Sequence, residues 1–135
     1  MKLFKITFLL LLIVTSSCKG KEKKSVISLN YKAQTRGFLY QIQFGNNSIE
    51  IIQNNIVKTS VLSENQLTKI DSLLREINFN VIKNNISTDD LAVDSAIKGV
   101  FNLNFEGNSY IFNFNHNKLP KEIEGFLKYL EGFTN

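Results

Sequence analysis

The stretch GVFNLNFEGNSYIFNFNH, residues 99–116, constrains this chain more than any other. Phe101, Leu103 and Phe105 alternate with Asn102 and Asn104. After a turn at Gly107-Asn108, Tyr110, Phe112 and Phe114 alternate with Asn113 and Asn115. A period of two sends successive side chains to opposite faces of a strand. Five aromatics among six positions therefore make one apolar face, with amides on the other. Such a hairpin predicts an antiparallel sheet covered on a single side.

The same period appears upstream. In GFLYQIQF, residues 37–44, Phe38, Tyr40, Ile42 and Phe44 alternate with Leu39, Gln41 and Gln43. Gly45-Asn46-Asn47 and Asn54-Asn55 are turn chemistry, because Gly and Asn tolerate positive φ. They separate this strand from SIEIIQ and from IVKTSVL, so three strands follow one another as a meander. The abundance of Asn, with pairs at 46–47, 54–55 and 84–85, reads mainly as the imprint of an AT-rich genome.

Between the two sheet segments the period changes. Ser63 is a good N-cap with Gln66 three residues on, the pattern of a capping box, and Leu62 and Leu67 are spaced as a hydrophobic staple. Leu67, Ile70, Leu73, Leu74 and Ile77 fall on one face, which predicts a helix over about 64–77. Phe79, Val81, Ile82 and Ile86 are apolar enough to dock on the core, and STDDLAVDS reads as an acidic loop. Pro120 suits the first turn of a last helix, with Glu122 and Glu124 near its positive end and Ile123, Phe126, Leu127 and Leu130 as its apolar face. The fold expected is α+β: an antiparallel sheet of about five strands, in the order β-β-β-α-β-β-α, with two helices packed on one face.

The front end carries an address. Lys2 and Lys5 precede an apolar run, Ile6 to Val14, broken only by Thr7 and followed by Thr15, Ser16, Ser17 and Cys18. A positive start, a short apolar stretch and small residues before a cut site mark a secretory signal peptide. The run is about half the roughly 20 apolar residues a membrane-spanning helix needs. Cys18 is the only cysteine, so it has no partner for an internal disulfide. The run Val14-Thr15-Ser16-Ser17-Cys18 resembles the lipobox of bacterial lipoproteins. That resemblance implies cleavage before Cys18 and acylation of it, with residues 1–17 as leader, 18–33 as lipidated cysteine and flexible tether, and 34–135 as a single domain. Each buried acyl carbon contributes about 0.8 kcal/mol, and two or more chains anchor stably. The implied location is the cell envelope, on the outer membrane and facing the periplasm.

Charge agrees with a split between tether and domain. The formal net charge of +4 comes from 16 basic and 12 acidic residues, yet Ser25 to Asn135 holds 10 basic and 11 acidic, a net of −1. The basic excess belongs to Lys2, Lys5 and the lysines of 19–24. The domain therefore offers no basic stripe for nucleic acid, and the lysine cluster reads equally as a contact for anionic headgroups or as a solvated spacer.

Taken together, TRGFLYQIQF, the Ser-capped helix ending near INF, the acidic loop, the second hairpin and LPKEIEGFLKYL are similar to small uncharacterised lipoprotein families of Bacteroidota, over most of residues 34–133. That resemblance implies no activity.

Candidate chemistry is sparse. His116 is the only histidine, in NFNHNKLP between the last strand and the last helix. It is a possible general base or ligand, and otherwise a solvated loop residue. Asp89, Asp90 and Asp94 could gather oxygen ligands for calcium but lack the spacing of an EF-hand loop. Arg36 is placed to pair with Asp94 or Glu50, or to contact an anionic ligand. There is no serine-nucleophile motif, phosphate loop or Cys-x-x-Cys, and no cofactor or metal is implied. Two readings result. One is a lipid-anchored binding or inhibitor-like module using its amide-rich sheet face or an edge strand, with Tyr31 or Phe133 as a rim anchor for a protein partner. The other is a small hydrolase or metal-dependent enzyme centred on Asp94 and His116.

Overall fold

The computed structural model describes residues 26–87, 89 and 96–135. Among these residues six antiparallel strands form one sheet: β1 (Ser28–Thr35), β2 (Phe38–Gly45), β3 (Ser48–Gln53), β4 (Ile56–Val61), β5 (Lys98–Phe105) and β6 (Asn108–Asn115). Helix α1 (Glu64–Glu76) links β4 to β5. A short 3-10 turn (His116–Lys118) leads into α2 (Lys121–Glu131). The sheet order is β4-β3-β2-β1-β5-β6. The architecture is α+β, as the periodicity predicts.

The sixth strand is β1, and it lies in the stretch expected to be tether. Residues 28–33 are not a spacer: Leu29, Tyr31 and Ala33 are buried on the helix side of the sheet, while Asn30 and Lys32 face out. β1 pairs with β2 through Leu29↔Phe44 to Thr35↔Phe38, and with β5 through Ser28↔Asn104 to Ala33↔Gly99. It is the seam joining the β2-β3-β4 meander to the β5-β6 hairpin.

The turns explain much of the asparagine. Asn46 and Asn47, and likewise Asn54 and Asn55, all adopt positive φ, the conformation a two-residue hairpin needs at both central positions. The β5–β6 turn is built by Glu106 and Gly107, also both at positive φ, so Asn108 already belongs to β6. Asn84 and Asn85 close the far edge of the sheet. Their side-chain carbonyls accept from the backbone N–H groups of Asn113 (2.8 Å) and Asn115 (2.7 Å), and the Asn85 N–H donates to the Asn113 carbonyl. The Asn pairs are thus structural, whatever the base composition behind them.

The core lies between the helices and one sheet face. Tyr31, Ile42, Ile49, Phe101, Leu103 and Phe114 from the sheet meet Ile70 and Leu74 of α1 and Ile123, Phe126, Leu127 and Leu130 of α2. The α1 entry is the predicted capping box, with Gln66 N–H donating to Ser63 Oγ and Ser63 N–H donating to Gln66 Oε1. Leu67, Leu73 and Ile77 only half-bury, so α1 lies over the sheet with a narrower stripe than its five apolar positions suggest.

Candidate functional site

The solvent face of the sheet is set by the side chains that alternate with the core. One row runs Thr59, Glu50, Gln43, Asn30, Asn102, Ile111 across all six strands. The next runs Val57, Ile52, Gln41, Lys32, Val100, Asn113. Amides on neighbouring strands interlock: Gln41 Nε2 donates to Asn30 Oδ1 at 3.0 Å, and Asn104 Nδ2 to Ser28 Oγ at 3.1 Å. Asn30, Lys32, Gln34, Val100 and Asn102 line a shallow concavity of about 350 Å³ over the β1–β5 seam. It offers amide donors and acceptors, one ammonium and one small apolar spot. This is chemistry for contacting a surface, without a nucleophile or paired carboxylates.

His116 belongs to the opposite side of the sheet. Its imidazole is half-buried among the rings of Phe38, Tyr31 and Tyr40, with centroids 5.2–5.8 Å away. Tyr31 Oη and His116 Nδ1 share a hydrogen bond of 2.6 Å, and the Tyr40 hydroxyl donates to Glu131 Oε1 at the end of α2. Gly99 makes this possible, since a side chain there would press into the Tyr31 ring. Burial pushes the histidine below its ordinary pKa, partly offset by the Glu131 carboxylate. Burial also pushes Tyr31 well above the usual phenol range, and burial together with the Glu131 contact does the same for Tyr40. The histidine and both phenols are thus neutral at neutral pH, and the nearby carboxylate is taken up by a tyrosine.

This burial makes stability depend on pH. The unfolded chain binds a proton at its histidine at about pH 6.5, whereas the folded chain resists until lower pH. The stability this provides is complete above that range and is lost as pH falls through the folded value. Urea midpoints of the wild type should therefore fall between pH 7.5 and 5.0 more than those of His116→Gln. Parallel curves over that interval would show that burial does not depress the histidine.

The remaining candidates separate. Cys18, Asp90 and Asp94 lie outside the described residues, and Asp89 is exposed. Arg36 sits exposed in the β1–β2 turn, while Glu50 is in the middle of β3 facing Gln43 and Thr59, and no ion pair joins the two. Tyr31 cannot be a rim anchor, because it is fully buried in the central strand. Phe133 is half-buried edge-on against Tyr129. Asn115 leaves the amide face as well: it is buried, and its Oδ1 accepts from the N–H of Asn117 to open the 3-10 turn. Among the described residues no three His, Cys, Asp or Glu side chains converge, and no helix is long and apolar enough to cross a membrane. The seam residues Asn30 and Lys32 lie inside the stretch expected to be tether, and Gln34 is the first residue after it. Their signal was the alternation in SLNYKAQT, residues 28–35.

Compared with models of protein families, with curated proteins and with solved structures, the chain has no match.

Proposed function

We propose that this is a lipid-anchored cell-envelope protein, held at the outer membrane by an acylated Cys18, that works by contact as a small binding or inhibitor-like module. The observation that carries the reading is the amide-lined, solvent-open sheet face, with its concavity over the β1–β5 seam. A partner laid on that face meets interlocked amides that can also turn outward, and Lys32 and Glu50 leave it close to neutral. This suits a protein surface better than a polyanion. The hydrolytic reading centred on Asp94 and His116 has less behind it, because the Nδ1 of His116 is bound by Tyr31 and the nearby carboxylate of Glu131 holds Tyr40.

The test is complementation of a deletion strain with full-length variants. Cys18→Ala should give a product without acyl mass. Asn102→Glu with Asn104→Glu should abolish complementation while acylation and fold are retained. Asp94→Ala with His116→Gln should complement as wild type does. Lost complementation in the last variant, in a protein that still folds, would overturn the contact reading in favour of catalysis.

A further inference from the structure

The two edges of the sheet are treated differently. β6 is closed by Asn84 and Asn85, which occupy backbone groups at Asn113 and Asn115. β4 has β3 as its only strand neighbour among the described residues. Natural edge strands are usually blunted by proline, bulges or charge. β4, IVKTSV, has no proline or glycine and one charged residue, Lys58. Its β-branched side chains stand in solvent: Ile56 is 64 %, Val57 56 % and Val61 83 % exposed. Ile56 and Lys58 point to the helix side of the sheet and are nonetheless exposed, so neither helix overhangs this edge.

We propose that β4 pairs with β4 of a second copy of this chain, antiparallel about a twofold axis at Thr59, to give a continuous twelve-stranded sheet. Register selects this arrangement. A twofold axis perpendicular to a sheet keeps each face on its own side, so the axis must pass through a residue, because a pairing centred between two residues would oppose side chains from different faces. Two such registers align five residues of β4. Centring on Lys58 opposes two ammonium groups across the strands, which is destabilising. Centring on Thr59 puts Val57 opposite the partner's Val61, Thr59 opposite the partner's Thr59 and Lys58 opposite the partner's Ser60. Two β-branched pairs then flank a threonine pair on the solvent face, and the two lysines become diagonal neighbours instead of directly opposed ones. A foreign strand would have to supply that pattern, whereas a second copy carries it already. The dimer does not depend on the proposed function: the β1–β5 concavity lies four strands in from the shared edge and stays open in the pair.

Sedimentation of the full-length chain in mild detergent, across a range of protein concentrations, tests this. Wild type should show a concentration-dependent dimer. Val57→Glu and Val61→Lys each disrupt two symmetric pairs and should weaken dimerisation about tenfold or more. The double variant opposes Glu at 57 to Lys at 61 twice across the axis and should recover most of the loss. Within one strand these positions are too far apart to pair, about 13 Å, so recovery reports the intermolecular register. Both sites are exposed, and an unchanged circular dichroism spectrum verifies the fold. A monomer at every concentration, a dimer insensitive to both single substitutions, or a double variant no better than the singles would overturn the proposal.

Discussion

Phe101→Ala should destabilise the protein by about 3–5 kcal/mol, the range for deleting a fully buried phenylalanine. Phe101 is 0 % exposed and sits midway along β5, one strand in from the β6 edge, opposite Tyr31 in β1 and Phe112 in β6, with the rings of Phe112 and Phe114 both 6.4 Å away. β5 is hydrogen-bonded to β1 on one side and β6 on the other, so it cannot collapse into the space. Phe112 and Leu73 occupy the same layer but are only partly buried, so truncating either should cost clearly less. Asn102→Ala, one residue along and facing solvent, should stay within about 0.5 kcal/mol. Urea melts of these variants separate the faces. Equal losses for Phe101→Ala and Asn102→Ala would mean that both sides of the sheet are covered.

Gly99→Ala should also destabilise, through crowding instead of a void. A Cβ at 99 would come within 2.9 Å of two Tyr31 ring carbons and closer still to the hydroxyl. Tyr31 is buried on all sides and its hydroxyl is held by His116, so the ring has nowhere to swing. Overpacking costs about 1–3 kcal/mol. Replacing glycine also trims the freedom of the unfolded chain, which returns about 0.4–1 kcal/mol. Crowding wins, and the net loss should be roughly 0.5–2 kcal/mol. Measured in a Tyr31→Phe background, where the closest atom is gone, the same substitution should cost less. A Gly99→Ala protein as stable as wild type would show that Tyr31 does not lie over Gly99.

The strands that alternate strongly were legible from residues alone, as was α1, whose start is written in Ser63 and Gln66. β1 was not, for a physical reason. Its inward positions are Leu29, Tyr31 and Ala33, and Asn30, Lys32 and Gln34 between them have the polarity of a linker. Ala33 packs because its neighbours are large, and that is a property of the sheet rather than of the strand. The Tyr31–His116 contact spans 85 positions and needs the gap at Gly99, so no local pattern announces it. Asn115 continues the amide alternation of β6, but the strand ends there and the side chain turns to cap the 3-10 turn at 116–118. Asn84 and Asn85 look like any polar loop until the edge of β6 is seen to need their carbonyls.

The central place of β1 has a consequence in time. Tyr31 pairs with Phe101, 70 residues later in the chain. Closing so long a loop comes after the local hairpins have formed. The β1–β4 meander can form early, because its links are two-residue turns, but one side of β1 then waits as an open edge with Leu29, Tyr31 and Ala33 uncovered. Pairing over long sequence separation is also the slow part of folding. The interval before β5 docks is therefore when the folding chain most needs a chaperone to shield it.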